Sequence, residues 1–238
     1  IQKVQRAVEP LEGTKPDGQI VVDMMNRMGY PQEGYSADVM LKEISGIVPF
    51  FRGVKWDELG HSGKQWPVKE DGTDTKILHT ETFKRGKGRF HSWDYDISPE
   101  LNENASRFPY ILTTGRLLEH YNSGTMTRRT PNAELVTEDV LFVHPADAEA
   151  KGVVSGDYAR IFSARGITTM KVKVTDVVKP GVIYTTFHFP EAAINFLTSG
   201  IGDEFTLTPE YKVVAVDFEK SLYGIFTRAE CKSDMKIE

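Results

Sequence analysis

The segment "RFPYILTTGRLLEHYNSGTMTRRT", residues 107–130, opens with a short apolar run and continues into a polar stretch that contains two glycines. The run Tyr110–Thr113 predicts a strand, because apolar residues end there at turn-forming ones. Gly115 and Gly124 let a backbone approach a ligand, and Arg116 can hold a phosphate or carboxylate through two parallel contacts. The segment predicts a strand followed by a ligand loop; an ordinary turn with polar side chains in water is the alternative.

Downstream of this segment the pattern predicts further strands separated by Gly, Pro and Asp turns. They are Val140–Val143, Tyr158–Ser163, Thr168–Val174, Val182–Phe187 and Lys212–Asp217. A short helix from Pro145 to Lys151, ended by Gly152, interrupts them. Because little chain remains for crossover helices, these strands predict a closed or nearly closed β-barrel, which leaves no exposed edge.

Upstream, the apolar spacing predicts two short helices, one from Pro16 to Met28 and one that begins after Ser36 and ends at Gly46. Residues 51–106 lose this periodicity and read as an extended connector whose aromatic side chains dock onto neighbouring protein. Short strands are predicted near 77–78 and 89–91. The fold class is mixed α+β and mainly β: a helical segment at 1–50, the connector, a barrel domain at 107–222 and a tail at 223–238.

Composition excludes several function classes. The formal net charge of -5 argues against a nucleic-acid binder, and no apolar run is long enough to span a membrane. The single cysteine, Cys231, cannot supply the thiolates of an iron–sulfur cluster. Asp94, Asp96, Glu100 and Glu103 have no histidine or cysteine at ligand spacing, so a solvated loop is expected there rather than a metal site.

The sequence of residues 107–130 resembles the first segment of the C-terminal cofactor-binding domain of molybdopterin oxidoreductases, and of formate dehydrogenases in particular. The similarity continues in "HFPEAAINFLTSG" at 188–200 and "PEYKVVAV" at 209–216. Earlier landmarks with the same likeness are "VQRAVEP", "MGYP", "QWPV" and "ILHTETFKRGKGRFH". The resemblance therefore covers nearly the whole chain.

This resemblance implies a double-psi β-barrel that caps a bis(molybdopterin guanine dinucleotide) cofactor carrying Mo or W. The residues implied in dinucleotide contact are Thr114, Gly115 and Arg116. Those implied in pterin contact are His120, Tyr121, Ser123, Gly124, Thr125 and Thr127. A second loop would contribute Asn195, Tyr211 and Lys212. His188 is expected to be a packed histidine with a hydrogen-bonded ring, or else a wall of the cofactor pocket.

The resemblance also implies the activity of a whole enzyme, the interconversion of formate and carbon dioxide with two electrons. The metal-ligating cysteine or selenocysteine and the cysteines for a 4Fe-4S cluster are expected in an upstream segment or subunit, so no catalytic residue is predicted here. Since the chain opens at Ile1 in an ordinary polar segment, it is expected to be a fragment or a split subunit. Iron–sulfur electron-transfer subunits are the implied partners, and the cytoplasm is the expected compartment.

Two other interpretations stay open at the level of sequence. One is a nitrate or other oxyanion reductase of the same superfamily, since a shared fold does not fix the substrate. The other is an assembly module that keeps the barrel and has lost the cofactor.

Overall fold

The computed structural model describes residues 1–224 of the chain. Two compact units are present, one formed by Ile1–Ser92 and one that begins at Trp93. The boundaries expected at residues 50 and 106 stay predictions, and the expected tail lies outside the described residues except for its first two. No helix within the described part is both long and apolar enough to cross a membrane.

The first unit contains two helices, α1 (Asp17–Arg27) and α2 (Ala37–Ile47), and both confirm the sequence prediction. Pro16 precedes α1, where its missing N–H costs nothing, and Asp17 adds negative charge to the first turn. Part of the connector has a small apolar cluster of its own, in which Val54, Leu59 and Val68 are buried together.

The strands predicted near 77–78 and 89–91 do not form, and turns or irregular backbone occupy both places. Ile77 is 71% and Phe90 is 106% exposed, so neither run has a sheet face to pack on. A strand needs a paired neighbour, and in the first unit the structure shows a single isolated bridge, between Val68 and Asp74.

The second unit is a barrel with short helices around it. Its strands are β1 (Tyr110–Gly115), β2 (Val140–Val143), β3 (Tyr158–Phe162), β4 (Ile167–Val174), β5 (Val182–Thr186) and β6 (Val214–Ser221). Its α-helices are α3 (Pro99–Asn104), α4 (Asn132–Leu135) and α5 (Pro145–Lys151). The strands close in the order β1-β5-β2-β4-β3-β6, with parallel pairs β1·β5 and β2·β4. The mainly β, closed-barrel fold class is therefore confirmed.

The barrel core is filled by inward-facing side chains that alternate along the strands. Leu112, Leu141, Ile161 and Phe218 are fully buried, which makes the interior a packed core. At the end of α5, Gly152 adopts the left-handed conformation (φ 65°), as the sequence predicts.

Helix α3 is fastened to the barrel by an ion pair between Glu100, which is 1% exposed, and the partly exposed side chain of Arg165 in the β3–β4 turn. Glu100 also accepts a hydrogen bond from the backbone N–H of Ala215 at 3.1 Å. The expectation that this carboxylate lies in a solvated loop is wrong: Ser98 caps a helix here and turns Glu100 inward toward a cation.

The strand register decides which loops share one end of the barrel. Gly115 pairs with Thr186 in the parallel β1·β5 ladder, and Leu112 pairs with Val214 in the antiparallel β1·β6 ladder. The carboxyl ends of β1 and β5 and the amino end of β6 therefore meet at one end, which we call the ligand end. The loops at 116–130, 187–200 and 209–213 all leave the barrel there.

Candidate functional site

The first loop at the ligand end, residues 116–130, is called the ligand loop below, together with the last two residues of β1, Thr114 and Gly115. It leaves β1 at Gly115, where an added Cβ would lie 2.3 Å from the Tyr184 hydroxyl, so a side chain here would displace the Tyr184 ring. The Tyr184 hydroxyl donates to the Arg116 carbonyl at 3.4 Å. Burial raises the pKa of the Tyr184 phenol, with a smaller contribution from Asp139, which keeps this donor protonated.

Gly124 is the second glycine of the ligand loop, and its backbone has φ 71°. A Cβ at this position would lie 2.7 Å from the backbone oxygen of His188. Glycine is therefore required twice, by the left-handed conformation and by close packing of the loop on the segment that follows β5.

His188 lies beneath the ligand loop and is completely buried. Its Nε2 accepts a hydrogen bond from the backbone N–H of Leu117 at 3.0 Å, and its Nδ1 lies 2.5 Å from the Asn122 carbonyl oxygen. The structure confirms the expected packed histidine with a hydrogen-bonded ring.

His120 is a second buried histidine, and it lies within the ligand loop. Its Nε2 faces the Val136 carbonyl oxygen at 2.8 Å and its Nδ1 faces the Thr127 hydroxyl at 3.0 Å. The same hydroxyl accepts from the Tyr121 N–H at 3.2 Å. Both ring nitrogens are engaged inside the protein, and a cofactor contact by His120 or Thr127 stays a prediction.

Asp139 anchors the segment after β5 from the other side. Its carboxylate is 3% exposed and accepts from the Thr186 hydroxyl and from the backbone N–H groups of His188 and Phe189. Backbone donors to a buried carboxylate are strong contacts. Asp139 therefore fixes the backbone that carries His188.

A cavity of about 400 Å³ lies at the ligand end, with Arg128, Asp139, Thr169, Phe189 and Glu191 among its lining residues. Arg128 and Glu191 pair at its edge, with their closest atoms 2.7 Å apart. The hydrogen bond from Arg128 holds the pKa of the Glu191 carboxyl below its ordinary value.

The predicted ligand residues differ in exposure. Thr114, Gly124 and His120 are buried, Gly115 and Thr127 are half-buried, and the remaining ones are exposed. The exposed ones are Arg116, Tyr121, Ser123, Thr125, Asn195, Tyr211 and Lys212. Arg116 lies 3.4 Å from the Asn122 side-chain oxygen.

The strand register brings both predicted loops to one end of the barrel. Between described side chains, however, no hydrogen bond or ion pair joins the ligand loop to Asn195, Tyr211 or Lys212. No cluster in the described residues gathers the His, Cys, Asp or Glu ligands that a metal ion needs.

Sequence reasoning missed Asp139 and Tyr184. Tyr184 sits inside an alternating strand, where a tyrosine reads as ordinary packing. Asp139 directly precedes an apolar strand, a place where acidic residues commonly end a turn, so its burial carried no separate signal in the sequence.

Comparison with known proteins identifies the class. Residues 110–215 match the family model of the molydopterin dinucleotide binding domain. The barrel therefore contains a domain of this family. The chain as a whole is homologous to part of formate dehydrogenase alpha subunits, as the resemblance of its sequence motifs implies.

Two relatives illustrate the homology. The chain is 35% identical over 226 residues to the F420-dependent formate dehydrogenase subunit alpha of Methanocaldococcus jannaschii, with 92% of this chain and 33% of that protein covered. It is 33% identical over 222 residues to a putative formate dehydrogenase of Staphylococcus aureus, with 89% of this chain and 22% of the relative covered. The chain thus spans a third or less of the length of these relatives.

Among solved structures, acetylene hydratase from Pelobacter acetylenicus matches with a TM-score of 0.56 at 17% identity, covering 91% of this chain and 34% of that one. At this identity the likeness concerns the fold alone.

Proposed function

We propose that this chain is the part of a formate dehydrogenase that clamps a bis(molybdopterin guanine dinucleotide) carrying Mo or W. One observation carries the proposal: the register of β1 with β5 and β6 sends the ligand loop and the loops at 187–200 and 209–213 from the same end of the barrel. The amino-acid sequences of these loops resemble those of the cofactor-binding loops of formate dehydrogenases.

The residues at this end suit a dinucleotide. Arg116 and Lys212 are exposed cations, which phosphates attract, and Arg116 offers a planar fork that matches phosphate oxygens. Ser123 and Thr125 add exposed hydroxyls that can donate to or accept from a polar heterocycle. The close packing of Gly124 on the His188 backbone holds the loop that carries these hydroxyls against the barrel.

In this proposal the chain's own residues bind and orient the cofactor and exclude water from it. None of them takes part in the reaction. When bound, the cofactor would supply the metal centre that accepts two electrons as formate becomes carbon dioxide and a proton. Fixed donors lower the cost of ordering such a site, because they do not reorganise during the reaction. The reactive metal ligand and the 4Fe-4S cluster belong to other parts of the enzyme, and iron–sulfur subunits would carry the electrons away.

The test measures cofactor content in the complete enzyme with Arg116 and Lys212 both changed to alanine. We expect pterin, guanine nucleotide and metal to fall together. Lys179→Ala is the matched control, because Lys179 is an exposed cation just before β5, at the opposite end of the barrel.

Full cofactor content in the double variant, or an equal loss in the control, would contradict the proposal. A wild-type enzyme that contains no pterin would indicate the assembly module. An enzyme that contains the cofactor, reduces nitrate and leaves formate unchanged would indicate a nitrate reductase of the same superfamily.

A further inference from the structure

We propose that His188 is a positioning residue: a neutral imidazole of fixed tautomer that sets the path of the ligand loop and, through Asn122, the place of Arg116. This inference deepens the proposed function and rests on it. His188 lies outside the ligand loop and offers no nitrogen to a ligand, since both ring nitrogens are already bonded to that loop.

The hydrogen bonds fix the tautomer. A backbone N–H only donates, so the Nε2 that accepts from Leu117 carries no proton. A carbonyl oxygen only accepts, so the Nδ1 that faces Asn122 carries one. A protonated, cationic ring would place two donors face to face at Leu117. The loop geometry is therefore compatible with one form of the ring.

The two bonds act on opposite limbs of the loop. One joins the ring to Leu117 and the other to Asn122, so a single rigid ring holds both limbs of the turn at a set separation. Among side chains, only histidine carries a donor and an acceptor on two edges of one ring. Asparagine and glutamine carry both groups on one terminal amide and can replace one contact at a time.

The backbone of His188 is itself held in place. Its N–H donates to the buried Asp139 carboxylate at 3.3 Å, and its carbonyl oxygen lies against Gly124. Asn122 has φ 47°, a left-handed conformation that asparagine adopts more readily than most other residues. The bond from His188 to the Asn122 carbonyl oxygen helps to hold this conformation.

The consequence reaches the proposed phosphate contact. The Asn122 side-chain oxygen lies 3.4 Å from an Arg116 nitrogen, so the residue that His188 restrains is also a neighbour of the Arg116 guanidinium. Loss of the ring would release both limbs and leave Arg116 to sample many positions. Binding energy would then be lost to ordering the arginine and the loop.

The test compares three variants of the complete enzyme. His188→Asn keeps a donor near the Nδ1 position, His188→Gln keeps an acceptor near the Nε2 position, and His188→Leu keeps neither. Ile161→Val, a conservative change at a fully buried position in β3, is the control for general loss of core packing.

Two quantities are measured: amide hydrogen exchange in residues 116–124 of cofactor-free protein, and cofactor content of the purified enzyme. Each lost hydrogen bond should speed loop exchange roughly fivefold, as expected for the net worth of such a bond. We expect the largest effect in His188→Leu, intermediate effects in His188→Asn and His188→Gln, and wild-type loop exchange in Ile161→Val. Cofactor content should fall in the same order.

Unchanged loop exchange in His188→Leu would overturn the inference, as would faster exchange with full cofactor content. An equal loss of cofactor in Ile161→Val would assign the effect to general packing and also overturn it. Failure of the proposed function has a different signature, because the wild-type enzyme would then hold no pterin dinucleotide.

Discussion

Replacing Gly124 by alanine should damage the ligand loop far more than the same change at Gly152. Both glycines have positive φ, 71° and 65°, so each substitution carries the cost of a left-handed alanine, about 1 kcal/mol. At Gly152 nothing lies within 4 Å of the added Cβ. At Gly124 the Cβ would lie 2.7 Å from the His188 backbone oxygen, and relief of this overlap should cost about 1–3 kcal/mol more.

The assay is cofactor retention by the complete enzyme, measured as pterin and metal remaining after dilution and gel filtration. If the loop relieves the overlap by moving, cofactor binding must return it to its place, and an excess of about 1–3 kcal/mol then corresponds to binding roughly 5- to 150-fold weaker in Gly124→Ala than in Gly152→Ala. Gly152 ends α5 at the opposite end of the barrel, so its variant controls for general destabilisation. Equal retention by the two variants would refute the reasoning.

Two further predictions concern ion pairs at the ligand end. Glu100→Ala should lower the free energy of unfolding by about 1–3 kcal/mol in denaturant titration, since it removes the acceptor of the buried Ala215 N–H and the carboxylate partner of Arg165, which keeps its bond to the Leu197 carbonyl oxygen; a loss below about 0.5 kcal/mol would contradict this. The Arg128–Glu191 pair should stabilise the cavity edge at neutral pH and weaken as pH falls below the ordinary Glu value of 4.5, through the lower folded-state pKa. A fluorophore placed near Glu191 should report this acid transition in the wild type and lose it in Glu191→Gln; an unchanged transition would contradict it.

Much of the barrel could be predicted because its strands carry local signals. Val140–Val143 has the predicted bounds, and α5 begins and ends where Pro145 and Gly152 indicate. The last strand begins at Val214 rather than Lys212, because local propensity does not show where pairing with β1 starts. The order in which the strands pair depends on contacts between residues that are far apart in sequence, so the local periodicity could not predict it.

The supporting residues of the site were harder to predict than its polar surface. Arg116 and Lys212 stand out in sequence as charges beside strands, whereas Asp139 gains its role only when the fold brings it to the backbone of His188 and Phe189. Helix α3 could have been found, since Ser98 and Pro99 form a helix-start signal. The inward turn of Glu100 could not, because its partner Arg165 lies 65 residues away.

The most direct test of the account compares amide hydrogen exchange in the complete enzyme with and without its cofactor. The account predicts that cofactor protects the ligand loop and the loops at 187–200 and 209–213. Exchange should stay unchanged at the opposite end of the barrel, in residues 144–156 and 175–181. Protection confined to that opposite end, or none in the three loops of the ligand end, would contradict the claim that this chain clamps the dinucleotide there.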